Sequence, residues 1–136
     1  MKISHLENPG ALVRRFIEEA WNGTASCNLD DYLQIDYVDH AYEPGNRSGL
    51  EKALKEVAAA IPDRRFEIDD LVADRDSVGV RMTLKGAHLG DFRGMPASGN
   101  KIQVRVYRWY RVVDGLIAEH WALLDTAGLI KQIKSV

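Results

Sequence analysis

The spacing of apolar residues changes once along this chain, and that change limits the possible folds more than any other feature. Leu12, Val13, Phe16, Ile17, Ala20 and Trp21 recur at helical spacing, and Leu50, Ala53, Leu54, Val57 and Ala58 do so again. From Arg65 onward the period is two: Val78, Val80, Met82, Leu84 and Gly86 share one parity, as do Val104, Val106, Arg108 and Tyr110. Helical stripes followed by alternating runs predict an α+β domain, with N-terminal helices packed over the concave face of a curved antiparallel sheet. Asn8-Pro9 opens the first helix as cap and first helical residue, and Asn22-Gly23 stops it. A short helix is expected over 29–33 and an extended piece over 35–40. Ser48-Gly49-Leu50-Glu51 reads as a capping box for the second stripe, and Pro62 closes it. Strands are expected over 65–72, 77–88, 101–113 and 116–124, with a short terminal helix over 125–133.

At 136 residues the chain predicts one domain spanning 1–136, and 46% hydrophobic residues suffice for one sizeable core. The 18 basic and 20 acidic residues are interspersed, with a formal net charge of -2, so nothing predicts binding to nucleic acid or an anionic membrane. A single cysteine, Cys27, rules out an intrachain disulfide and reads as a plain thiol beside a helix. No apolar run approaches the roughly 20 residues needed to span a bilayer. Lys2 is followed by no apolar core of a secretory signal, so a cytoplasmic location is expected. The Gly90 to Gly99 stretch opens a strand and not a helix, which argues against a phosphate site, and no Ser has a nucleophile-elbow context. The histidines lack short metal-ligand spacing, so neither metal nor cofactor is expected.

Titratable residues within the alternating runs mark the expected site. His88 continues the parity of Val78 to Gly86 and thus ends an apolar stripe, and the crossover after it carries three glycines and a proline in eleven residues. In the last hairpin, a three-residue loop with Gly115 in a bulge would set Val112 against Leu116 and Arg108 against His120. Leu116, Ala118, His120, Ala122 and Leu124 would then share the face of Arg108 and Tyr110, the two alanines leaving room for a ligand. A two-residue turn would split this set. His120 reads either as an acid–base group acting on a bound ketone or enol, or as a buried histidine holding the sheet. His40, after Asp39, reads as a site residue or a loop cap, and His5 as solvent-exposed. Arg108 on an apolar face needs a partner, which could be a substrate enolate or carboxylate or Asp39, unless its head reaches water at a rim. On the opposite parity Tyr107, Trp109 and Trp121 stand among arginines, a composition that predicts a homodimer interface.

The His88 stretch, read with Asp36-Tyr37-Val38-Asp39-His40 and Asp114-Gly115-Leu116-Ile117-Ala118-Glu119-His120-Trp121, resembles the SnoaL-like polyketide cyclases of the nuclear-transport-factor-2-like superfamily. The likeness runs from about residue 13 to 133. It implies a cone-shaped domain and an intramolecular aldol closure, in which a pocket base removes a proton and hydrogen-bond donors hold the enolate. The superfamily also holds isomerases, epoxide hydrolases and noncatalytic binders, so the fold alone does not name a reaction. Many relatives read His-Trp-Asp on the last strand where this chain has Ala122. Arg108 falls where isomerase and epoxide-hydrolase relatives tend to carry a carboxylate, and Phe16 where isomerases place a hydroxyl donor. With these changes the expected catalytic residues are His120, His88, Asp39 and His40, Asp39 substituting as base. Arg108, Tyr110, Phe16 and Trp21 are the expected ligand contacts. The expected function is acid–base chemistry on a small apolar ketone or polyketide-like substrate; a noncatalytic small-molecule binder and an epoxide-hydrolase-like enzyme are the alternatives.

Overall fold

Asn8 caps the first helix, its side-chain oxygen accepting the Ala11 N–H at 2.8 Å, and Pro9 takes the first helical position. The computed structural model describes residues 7–23 and 27–136, so the expectation for His5 lies outside the described residues. Helix α1, Pro9–Phe16, continues into a π-helical turn, Ile17–Trp21, where the Asn22 N–H donates to the Ile17 carbonyl. The whole predicted stripe from Leu12 to Trp21 is buried. Asn22 ends the helix by pairing its side chain with both the N–H and the carbonyl of Phe66. A 3-10 turn, Leu29–Asp31, then leads into strand β1, Leu33–Asp39.

Helix α2, Arg47–Ala60, starts earlier than the capping-box reading put it. The Asn46 side chain accepts the Ser48 N–H at 2.9 Å, while Glu51 lies 3.5 Å from Arg47. Asn caps as well as Ser, and the earlier cap lets the helix begin sooner. Its stripe is only partly covered: Leu50 and Ala60 are buried, but Ala53, Leu54 and Val57 are half-buried.

The remaining strands are β2 (Arg65–Asp74), β3 (Ser77–Ala87), β4 (Lys101–Val113) and β5 (Leu116–Leu124), followed by helix α3, Thr126–Ile133, capped by Asp125. The order across the sheet is β1-β5-β4-β3-β2. Strands β2 to β5 are antiparallel as expected, whereas β1 joins the edge parallel to β5, making the sheet mixed. Register shifts in β2 and at the β4/β5 ladder bend the sheet, as bulges do.

The last hairpin corrects the expected register. Asp114 and Gly115 both take positive φ, 51° and 78°, forming a two-residue turn with Val113 opposite Leu116. The bulge sits further along, at Ala118, between the pairs Val112–Ile117 and Arg111–Glu119. Ile117, and not Leu116 or Ala118, is therefore the residue buried beside Val112. Beyond the bulge parity is restored, so Tyr110 opposes His120, Trp109 opposes Trp121 and Arg108 opposes Ala122. Arg108 and His120 still share the inner face, but as diagonal neighbours.

Helix α2 stands off that inner face. Ala53, Val57 and Ala60 on the helix and Leu84, Val106 and Ala122 on the sheet line an internal cavity of about 300 Å³.

Candidate active site

Four side chains form a continuous chain of contacts from β1 to this cavity. Asp39, at the end of β1, is 3% exposed; its Oδ2 accepts the Tyr37 hydroxyl at 2.6 Å, and its Oδ1 accepts the backbone N–H groups of Ala41 and Tyr42 at 2.8 and 3.2 Å. His120 Nδ1 lies 3.1 Å from Asp39 Oδ2, and His120 Nε2 lies 3.2 Å from Arg108 Nη1. A guanidinium can only donate, so Nε2 accepts, and the ring proton sits on Nδ1, donating to Asp39. Arg108 Nη1 also donates to the Tyr42 hydroxyl at 2.9 Å. The tautomer of His120 is thereby fixed by a carboxylate on one side and a cation on the other.

Burial pushes the His120 imidazole down to about 4; the hydrogen bond to Asp39 opposes that shift and the nearby Arg108 charge adds to it. At neutral pH His120 is consequently uncharged, and its contact with Asp39 is a hydrogen bond rather than an ion pair. Burial works to raise the Asp39 carboxyl, but the bonds from His120, Tyr37 and Ala41 outweigh it and hold the group below the usual range. The one positive charge of the group is carried by Arg108, whose guanidinium carbon sits 3.7 Å over the Trp21 ring and 5.6 Å from the Phe66 centroid. Arg108, Trp21, Tyr42 and Phe66 all line the cavity. Donor capacity is left over at this end: among the described residues Arg108 Nε, Trp21 Nε1 and the Tyr110 hydroxyl are buried without hydrogen-bond partners, Trp21 and Tyr110 facing each other without meeting in bonding geometry.

Because the folded imidazole titrates below its unfolded value, its contribution to stability is complete above pH 6.5 and is lost as pH falls toward about 4. Urea unfolding between these limits is expected to lose about 3 kcal/mol on the acid side from this residue alone. The imidazole resonances should titrate near 4 in parallel; titration near 6.5 would show that His120 is solvated.

The other expected site residues fall in different places. Trp21 and Arg108 are on the cavity wall, whereas Phe16 and Tyr110 lie behind it, their rings 6.1 Å apart in an edge contact. His40 points to the opposite face from Asp39, as strand parity requires: its ring stacks on Trp121 at 4.6 Å, and its Nε2 lies 2.7 Å from Glu119. His88 is fully buried but off the cavity wall. Val80 is the β3 residue opposite Arg108, and His88 lies eight positions beyond it, about 25 Å at extended spacing. His88 Nδ1 accepts the Ser98 N–H at 3.1 Å and lies 2.9 Å from the Ser98 hydroxyl, so its ring proton is on Nε2, which has no partner among the described residues. Its backbone pairs with Gly99 and Asn100, closing the base of the crossover. Thus Asp39, His120 and Arg108 converge, and His40 and His88 do not join them.

Two contributors were not identified from the sequence. Tyr37 is two residues before Asp39 on the same parity, a legible signal once Asp39 is taken as buried. Tyr42, in the loop after β1, has no periodic signal; only its place after Asp39 brings it to Arg108. Among the described residues, no three His, Cys, Asp or Glu side chains stand close enough together to hold a metal ion, and no helix is long and apolar enough to cross a membrane.

A curved sheet beneath helices, with a polar group at the head of a mainly apolar cavity, agrees with the resemblance to the SnoaL-like polyketide cyclases. The family model for SnoaL-like polyketide cyclase matches residues 11–133, and the chain belongs to that family. It is similar to aklanonic acid methyl ester cyclase DnrD of Streptomyces peucetius, 25% identical over 129 residues covering 90% of this chain and 88% of that one. It is similar also to aklanonic acid methyl ester cyclase DauD of Streptomyces sp. strain C5, 27% identical over 128 residues covering 90% and 79%. Among solved structures, TsrD from Streptomyces laurentii is 29% identical, with a TM-score of 0.79 over 93% of this chain and 94% of that one. IdmH from Streptomyces antibioticus, assigned as a polyketide cyclase, is 25% identical, with a TM-score of 0.82 over 95% and 100%.

Proposed function

We propose that this protein catalyses an intramolecular aldol-type closure of a small polyketide-like ketone in the cavity between α2 and the sheet. The observation that carries this reading is the run Asp39–His120–Arg108–Tyr42, which ends at the buried head of a cavity walled mainly by apolar side chains. A substrate carbonyl oxygen that takes the Arg108 N–H now directed at His120 leaves the Nε2 lone pair open. His120 then removes the α-proton, while Arg108 and the Tyr42 hydroxyl hold the enolate oxygen. The imidazolium forms between Asp39 and the new anion, and these two charges raise its basicity in the state where the proton arrives. The enolate carbon attacks a second carbonyl carbon, that carbonyl's π electrons move to its oxygen, and the resulting alkoxide takes the proton back from His120. No co-reactant is consumed. Asp39 acts here through His120, its own oxygens being occupied by four donors.

Ala122 favours a second reading, binding without turnover, because it lines the cavity directly opposite Arg108, at the place where the resemblance implies an acid in many relatives. Exchange of the C1 protons of 2-tetralone in deuterated buffer separates the two, since it reports enolisation without requiring the true substrate. Protein-dependent exchange that follows His120 and Arg108 supports the enzyme, and bound tetralone without accelerated exchange supports the binder.

The outer face of the sheet supports a homodimer. Tyr107, Trp109, Trp121, Val72 and Leu123 are all exposed there, Trp109 at 50%, and they border a groove of about 530 Å³. An apolar patch of this kind is unfavourable in water unless covered. Sedimentation at micromolar concentration should give a dimer for the wild type and a monomer for Trp109→Glu; a wild-type monomer would refute this.

A further inference from the structure

The cavity has a second cation, at its mouth. Of the described residues lining it, only Arg108, Arg93 and Glu56 carry charge, and Arg93 and Glu56 meet at its solvent-exposed side, from the β3–β4 crossover and from α2. Arg93 occupies the tip of a two-residue turn closed by the Phe92–Met95 bridge, with φ of 49° at Arg93 and 86° at Gly94. Asn, Asp or Gly is the ordinary occupant of the first position, because a longer side chain with positive φ is strained. The guanidinium lies over the Phe92 ring, 4.8 Å from its centroid, with Nη2 3.3 Å from Glu56.

The Arg93–Glu56 pair holds weakly. Its side chains are 53% and 40% exposed, and an ion pair in that setting gains little over solvation. A ligand carboxylate presented from inside the cavity can replace Glu56 as the partner of Arg93, and does so bidentately where Glu56 does not.

We propose that Arg93 is a specificity residue, selecting substrates that bear a free carboxylate at the end remote from the enolisable ketone held by Arg108, with Glu56 as its resident competitor. This rests on the cavity being the substrate site. A volume of about 300 Å³ accommodates a compact ligand of about three fused rings. Binding of anthraquinone-2-carboxylate and of its methyl ester, followed by calorimetry and by quenching of tryptophan emission, tests the proposal on wild type, Arg93→Gln and Glu56→Gln. The wild type should bind the acid about five- to tenfold more tightly than the ester, the range of a charge-assisted contact weakened by solvent. Arg93→Gln should bring the two within about twofold by weakening the acid alone, and Glu56→Gln should widen the preference by removing the competing carboxylate. If the wild type binds both equally, or if Arg93→Gln keeps the acid preference, Arg93 does not select a carboxylate, although binding would leave the cavity reading intact. If the wild type binds neither probe, the cavity is not the substrate site and both readings fall together.

Discussion

Arg108→Met is expected to fold and to lose catalysis, its rate of 2-tetralone proton exchange falling by about 10²–10³, the usual cost of losing a main oxyanion donor. The stability loss should be about 2 kcal/mol, because relief of the guanidinium's desolvation offsets part of the cost of leaving His120 Nε2 and the Tyr42 hydroxyl without their donor. What remains is Asp39 bound by four donors, with His120 no longer beside a cation. The His120 imidazole should then titrate above the wild-type value of about 4, since one of the causes that depress it is the Arg108 charge. An Arg108→Met protein that retains more than a tenth of the exchange rate would show that the guanidinium does not hold the enolate.

Asp39→Ala should cost about 3–5 kcal/mol, as expected when a buried charge is removed from its partners. The loss comes from the groups left behind: the Tyr37 hydroxyl, the Ala41 and Tyr42 N–H groups and the His120 Nδ1 proton lose their common acceptor in a site closed to water. Urea midpoints measured above pH 6.5 give this difference most clearly. The Asp39 carboxyl is held below 3.8, so its contribution is complete above that pH and disappears only as pH falls through its lower folded value, beneath the window in which His120 titrates. Asp39→Asn should fold better and still be slow. Its amide N–H would turn toward Nδ1 and move the ring proton to Nε2, against the Arg108 donor.

Residue spacing carried most of the architecture because burial of one face leaves a period that survives in sequence. The α1 stripe, the strands 101–113 and 116–124 and the Asn8-Pro9 start lie where that reasoning put them. What spacing does not carry is an interruption of itself. The bulge at Ala118 is marked by no glycine of its own, since Gly115 serves the turn, and so alternation alone predicts Leu116 on the face that Ile117 occupies. The same limit affected the site. Parity correctly joined Arg108, His120 and the apolar face, but it stops at the end of a strand. His40 follows Asp39 and therefore points to the outer face, and His88 shares a parity with Val80 without sharing its neighbourhood, because the sheet extends far between them. Tyr42 and Arg93 lie in loops, where only three-dimensional closure brings them to the cavity.

The central claim is that Arg108 and Tyr42, backed by His120 and Asp39, stabilise an enolate at the head of the cavity. 2-Naphthol, an aromatic enol whose ionisation is visible in its absorbance, tests this without any turnover. Bound to the wild type, it should ionise about 1–2 pH units below its value in water, as a group placed against a guanidinium does, and this shift should vanish in Arg108→Met. Bound naphthol that ionises at or above its aqueous value in the wild type would mark the cavity as an apolar receptacle, and would contradict the account.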